Sequence, residues 1–238
     1  EAAAKPTHLR NIMVNNNEAG VFVLEKGDIF EVDKNLHSLH IGTFWDAAGG
    51  GAAHDVDSHA VLLVHRGGDA SAPVMYGQGS HFLTYANKTL VPAKDDDGDV
   101  VGFQTADQSM WHSADNRRGG AMEAEKDHGG GHEEELSEEM HIHLSRLPAK
   151  GAEIAVWLTI HKAKERGLDF SKIKGLFVEV CDADGNEMCR YHPTGEFAGF
   201  SALQVGSLMK KPDGAWSFTA VGAGSKTGLA DIISAYQG

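Results

Sequence analysis

The stretch GTFWDAAGGGAAHDVDSHAVLLV, Gly42 to Val64, sets two acidic clusters on either side of a glycine run and then enters an apolar strand. In Asp55-Val56-Asp57 the carboxylates stand at i and i+2, so an extended chain projects both from one face and turns Val56 to the other. That pairing costs energy unless something positive sits between the two. Asp46 follows Trp45 at the end of the strand-like run Leu39–Trp45, and Gly49, Gly50 and Gly51 let the backbone turn sharply enough to bring Asp46 to the same point. No Lys or Arg occurs from Leu36 to His65. A hard divalent cation suits three converging carboxylates, since Ca²⁺ takes roughly 6–8 oxygens at about 2.3–2.6 Å. The competing reading is that these are turn and strand-end residues, as Asp commonly is. Beyond them, the unbroken apolar run Val61-Leu62-Leu63-Val64 predicts a strand buried on both faces.

The wider chain bounds what such a site serves. With 34 acidic against 21 basic residues the net charge is −13, which argues against nucleic acid or an anionic membrane surface as the main partner and makes cations the natural counterpart. No apolar run approaches the ~20 residues needed to cross a bilayer, and no charged and apolar leader opens the chain. The expectation is a soluble protein, cytoplasmic or part of a cytoplasmically assembled particle. The chain begins at Glu1 rather than Met, as if an N-terminal segment were removed or omitted. Glu1-Ala2-Ala3-Ala4-Lys5 reads as a rigid-linker repeat or as a short helix stopped by Pro6. Cys181 and Cys189 flank a turn-like stretch, so a cross-hairpin disulfide and two reduced thiols are both open.

Residues 1–20 are polar and Asn-rich and read as a flexible arm. Residues 21–238 read as one domain. Short strands are expected over Val21–Leu24, Ile29–Val32, His37–Trp45, His59–His65, Phe82–Tyr85 and Val100–Thr105. Asp95-Asp96-Asp97-Gly98-Asp99 lacks the spaced ligands and distal Glu of an EF-hand loop and reads as an exposed hairpin turn. A long loop follows from Ala114 to Glu139. Between Glu123 and Glu139 it carries eight acidic residues and one lysine, a run that reads mainly as solvated. Its opening, Asp115-Asn116 beside Gly119-Gly120, places oxygen donors on a backbone free to wrap an ion. Met140–Leu144 alternates as a strand with His141 and His143 on one face. Ala152–His161, Gly175–Cys181, Glu187–His192, Ala198–Leu208 and Trp216–Ala220 continue the pattern. Leu229, Ile232, Ile233 and Tyr236 fall at helical spacing. The fold class expected is mainly β, an antiparallel β-sandwich of about ten strands closed by a C-terminal amphipathic helix.

Several of these pieces, in order, resemble the TerD-like proteins of bacterial tellurium-resistance and stress operons. Leu24-Glu25-Lys26-Gly27-Asp28 resembles the family's opening Leu-x-Lys-Gly-Asp, and Gly42-Thr43-Phe44-Trp45-Asp46 its Gly-Leu-Gly-Trp-Asp. Asp55-Val56-Asp57 with Ala60-Val61-Leu62-Leu63 is similar to Asp-Phe-Asp-Leu-Asp-x-x-Ala-Phe-Leu-Leu, and Ala114-Asp115-Asn116-Arg117-Arg118-Gly119 to Gly-Asp-Asn-x-Thr-Gly. Arg190-Tyr191, Asp213-Gly214-Ala215-Trp216 and Ala220-Val221-Gly222-Ala223-Gly224 follow in register. The resemblance implies a β-sandwich binding two Ca²⁺ in adjoining acidic loops, without catalytic activity, through Asp46, Asp55, Asp57, Asp115 and Asn116. The chain departs from the pattern at Ala53, where the family has Asp, and by an insertion at about residues 121–131 that displaces the closing acidic loop. Glu133 and Glu134, or Glu138 and Glu139, stand as its replacements.

Two other readings are distinct in class. A metallo-hydrolase would draw on the chain's histidines, for instance His141, His143 and His161, and needs a closed ligand set with one open position. A structural or decorating subunit of a larger assembly would dock through residues 1–20, which would order on contact.

Overall fold

A computed structural model describes residues 11–12, 20–46, 54–117, 137–193 and 197–238. Among them run sixteen strands: β1 (Asn11–Ile12), β2 (Phe22–Leu24), β3 (Ile29–Glu31), β4 (Leu39–Phe44), β5 (Val56–His65), β6 (Pro73–Met75), β7 (Phe82–Leu83), β8 (Val91–Lys94), β9 (Val100–Gln104), β10 (Met110–Ser113), β11 (Glu138–Ile142), β12 (Glu153–Ile160), β13 (Phe177–Cys181), β14 (Glu187–Tyr191), β15 (Ala202–Lys210) and β16 (Trp216–Ser225). Two helices, α1 (Ala163–Arg166) and α2 (Leu229–Ala235), accompany them. The strands form two sheets. One has the order β1-β3-β16-β15-β12-β5-β6, with β7 also on β5; the other has the order β2-β14-β13-β4-β11-β10-β9-β8. Every pairing is antiparallel except β1 with β3 and β2 with β14. The expected sandwich is therefore present, and the surplus of strands over about ten comes from two- to four-residue pieces such as β1, β6, β8 and β10. Asn11–Ile12, read from sequence as part of the arm, adds a parallel strand beside Ile29–Phe30.

Strand alternation sorts each side chain to a face. On β5, Val56, Ala60 and Leu62 enter the main core between the sheets, whereas Val61 and Leu63 pack on the opposite side with Phe82 and Ala155. Leu229, Ile233 and Tyr236 of α2 and its C-terminal end cover that second cluster. The Trp157 indole donates to the Tyr236 hydroxyl at 3.2 Å. The run Val61–Val64 is thus apolar because both of its faces are covered. Among the described residues no helix is long and apolar enough to cross a membrane.

The same alternation settles the cysteines. Cys189 pairs with Val180 and points with it into the main core, while Cys181, the next residue along β13, alternates to the other face, its thiol donating to Glu179 Oε1 at 3.4 Å. Both are free, and the cross-hairpin disulfide does not form because the two sulfurs lie on opposite sides of the sheet. Burial pushes both thiols up from their ordinary range.

Candidate metal centre

At one end of the sandwich the chain entering β5 meets the chain leaving β10. One carboxylate oxygen each from Asp55, Asp57 and Asp115 lies within 4.8 Å of the others. Asp55 and Asp57 share a face as their i, i+2 spacing predicts, and Val56 between them is fully buried in the core. Burial, and then the charges of Asp115 and Asp55, push the Asp57 carboxyl up to about 7. Burial and Asp115 likewise raise Asp55. Cations do approach, but at the rim and from outside the acidic stretch: Arg117 Nε is 2.9 Å from Asp115 Oδ2, and Arg166 Nη1 is 3.8 Å from Asp55 Oδ2. Oδ2 of Asp57 is buried and has no hydrogen-bond partner among the described residues.

Behind the three aspartates lies a buried polar chain. Glu138 Oε2 accepts from the Ser58 backbone N–H at 2.8 Å and from the Ser58 hydroxyl at 2.6 Å, and Oε1 accepts from the Asn116 N–H at 3.4 Å. His112 places Nε2 2.9 Å from Ser58 Oγ and Nδ1 2.8 Å from the Ser113 carbonyl. Burial raises the Glu138 carboxyl to about 8 against the pull of the Ser58 hydrogen bonds, with the charge of Asp57 adding to the rise. Burial also lowers His112. Asp57, Ser58, His112, Asp115 and Glu138 line one small recess together with Tyr85 and Phe103.

Of the residues named from sequence, Asp55, Asp57 and Asp115 are brought together, and Asn116 joins them through its backbone. Asp46 is not brought in. Its backbone N–H bonds to the Lys174 carbonyl at 2.9 Å, and its carboxylate lies over Gly175, where a Cβ would come 2.2 Å from Oδ1. Gly175 has φ +63, so the position suits glycine twice over. Glu139 is also displaced. Strand β11 has a period of two, so Glu138 faces the aspartates and Glu139 projects outward to His40 and His141. Glu133, Glu134, Gly49, Gly50, Gly51 and Ala53 lie outside the described residues, as does the 121–131 insertion.

Part of the acidic run is not solvated, since Glu138 is 2% exposed. The set His141, His143 and His161 does not assemble. Among the described residues two groups of potential metal ligands converge, and neither joins these three. His161 lies near Asp55, and its ring stands 6.2 Å from that of Tyr85. Ser58 and His112 carry no mark in the sequence: Ser58 falls just before the strand expected over His59–His65, and the four-residue β10 falls between the strand expected to end at Thr105 and the loop expected from Ala114. The alternation Met110 and His112 inward against Trp111 outward is the signal that exposes it.

An all-oxygen donor set with an unpartnered, buried carboxylate oxygen fits a hard cation and suits no anion. The comparisons with known proteins agree with the fold around it. The TerD domain model matches residues 21–236. The tellurium resistance protein TerD of an Alcaligenes species is 30% identical over 221 residues, covering 90% of this chain and 95% of that protein. General stress protein 16U of Bacillus subtilis is 27% identical over 89% of this chain and 93% of its own length. Among solved structures, a homologue of telluride resistance protein (TerD) from Streptomyces coelicolor A3(2) superposes with a TM-score of 0.56 at 19% identity, over 84% of this chain and 96% of that one. With the model spanning nearly the whole sandwich, this chain belongs to the TerD domain family.

Proposed function

We propose that this chain is a non-enzymatic, cytoplasmic Ca²⁺-binding module of the stress and tellurium-resistance type. The observation that carries the reading is the unpartnered Oδ2 of Asp57, buried among two further carboxylates that raise its pKa. Left to themselves, three anions at this spacing repel, and the two rim arginines pair with Asp115 and Asp55 rather than with the innermost Asp57. Asp55, Asp57 and Asp115 would hold the ion, with Glu138 behind them; Ca²⁺ supplies the positive charge that lets all ionise together. Loops from two sheets meet at that point, so binding would raise stability by linkage.

The buried Ser58 supports a role other than catalysis. It stands between Glu138 and His112, and the far nitrogen of His112 meets a backbone carbonyl rather than a carboxylate. A nucleophilic serine needs its histidine placed between it and the acid. Calorimetric titration of EGTA-treated protein with Ca²⁺, paired with melting curves in Ca²⁺ and in EGTA, tests the reading. Saturable heat and a raised melting temperature are expected; no heat and identical curves at millimolar Ca²⁺ would sink it.

A further inference from the structure

On the outward face of the second sheet, away from the aspartates, three donors of a different kind converge. His40 of β4 and His141 of β11 are directly opposite in register, and Glu139 is two residues along from His141 on the same face. Glu139 Oε1 is 3.2 Å from His40 Nδ1 and 3.0 Å from His141 Nε2. One ligand atom from each lies within 4.8 Å of the others. His141 Nε2 is buried, and this approach to Glu139 is the polar contact it makes among the described residues. The two imidazoles stack with centroids 3.8 Å apart and planes 2° from parallel. Opposite Glu139 on β4 stands Gly42, which puts no side chain across from the carboxylate. The three side chains are 21%, 33% and 28% exposed for His40, His141 and Glu139, so the cluster lies at the surface of the sheet, and the buried Nε2 of His141 opens to an ion as the rings part.

We propose that His40, His141 and Glu139 form a second metal site, for a borderline divalent cation such as Zn²⁺ and not for Ca²⁺. Two imidazoles and one carboxylate are the donors that Zn²⁺ takes at about 2.0–2.2 Å, with the fourth position left to water. Ca²⁺ takes oxygens in larger number. Zn²⁺ would settle where Glu139 now reaches toward both rings, and the rings would splay from their parallel stack so that both nitrogen lone pairs meet at one point. The rigid part of the site is the cross-strand pair His40 and His141, whose backbones the ladder fixes. The inference does not rest on the calcium reading, because adjacent residues of β11 serve the two sites: Glu138 turns to the aspartates and Glu139 to the histidines.

Titration of the full chain with Zn²⁺ in millimolar Ca²⁺, by calorimetry and by Zn²⁺-dependent melting, tests it. The variant His40→Asn/His141→Gln removes two of three donors, and Asp57→Asn disables the acidic cluster. Expected are one Zn²⁺ per chain in the wild type, retention in Asp57→Asn, and a loss in His40→Asn/His141→Gln exceeding the roughly 10–100-fold that removing an outer-shell partner causes. Trp111, with its ring 4.5 Å from that of His141, gives an independent readout. Quenching by Cu²⁺ should follow the same pattern across the variants. Zn²⁺ binding unchanged in the double variant, absent from the wild type at micromolar concentration, or lost only in Asp57→Asn would overturn the proposal. Should the double variant fail to fold, Glu139→Gln, which keeps shape and one oxygen, decides: weakened Zn²⁺ binding supports the site and unchanged binding overturns it.

Discussion

The turn Asp95-Asp96-Asp97-Gly98-Asp99 holds more carboxylates in five residues than the whole Asp55, Asp57, Asp115 group, yet the two regions are opposite in character. At the turn every Asp is exposed and the cluster serves its own backbone: Asp95 Oδ1 accepts from the N–H groups of Asp97 and Asp99 at 3.1 and 2.8 Å. Its carboxylates join neither of the converging groups found among the described residues. At the end of the sandwich, three aspartates separated by up to 60 positions are brought within 4.8 Å, and one is buried with an oxygen unpartnered. Density of charge along the chain therefore does not make a cation site. Convergence with loss of water does, because desolvation and like-charge repulsion are what a bound cation relieves.

The sharpest way to break that comparison is to neutralise one member of each group. Asp57→Asn should abolish the Ca²⁺ response of the melting curve, a loss of about 4 kcal/mol where free Ca²⁺ is 1,000-fold over Kd. In EGTA at pH 8 the same variant should be more stable than the wild type, since it removes an ionised carboxylate that burial and two neighbours penalise. Asp96→Asn should change neither. A Ca²⁺ response surviving in Asp57→Asn, or lost in Asp96→Asn, would reverse the assignment.

The pH dependence of the metal-free protein is the next largest effect. Asp57 and Glu138 have folded-state pKa values raised to about 7 and about 8, so each contributes stability fully present below the ordinary carboxylate range and lost as pH rises through its folded value. Burial lowers the buried imidazoles His59 and His112, which favours folding as pH rises toward their ordinary value near 6.5 and so opposes the carboxylates below it. The clean window is pH 6.5 to 8. Denaturant unfolding in EGTA should lose on the order of 2 kcal/mol across it, at about 1.4 kcal/mol per unit and chiefly through Glu138. Saturating Ca²⁺ should flatten the slope, because the ion favours the ionised forms. A flat profile in EGTA would mean that water reaches these carboxylates.

The sandwich was legible because its signals are local and repeated: alternation along β11 and β12, the two-sided apolar run of β5, the helical spacing of Leu229, Ile233 and Tyr236. The pair Asp55 and Asp57 was legible for the same reason, as two residues at i and i+2 where the chain enters β5. What escaped depended on partners distant in sequence. Asp46 ends a strand as expected, but its carboxylate is taken up over Gly175, a contact no local pattern encodes. Glu138 and Glu139 look equivalent in the sequence, and a single step of strand register sends one to the calcium candidate and the other to His40 and His141. Ser58 and His112 come from different sheets, so only the folded sandwich makes them neighbours.

The smallest effect probes the turn itself. If Asp95 serves only the hairpin between β8 and β9, then Asp95→Ala removes a side-chain acceptor from two backbone N–H groups that water can still reach, a cost of about 1 kcal/mol. For a chain of this length that lowers the melting temperature by roughly 2–4 °C. Asp96→Asn and Asp97→Asn, which lose only exposed charge, should stay within about 0.5 kcal/mol of the wild type. All three should keep the wild-type Ca²⁺ titration, since none of these side chains reaches the sandwich end where Asp57 is buried. Parallel melting curves of the three variants in EGTA and in Ca²⁺ measure both quantities at once. A drop in Ca²⁺ affinity in Asp95→Ala would show that the turn holds an ion after all, and that exposure does not disqualify a run of aspartates whose backbone is already tightly folded.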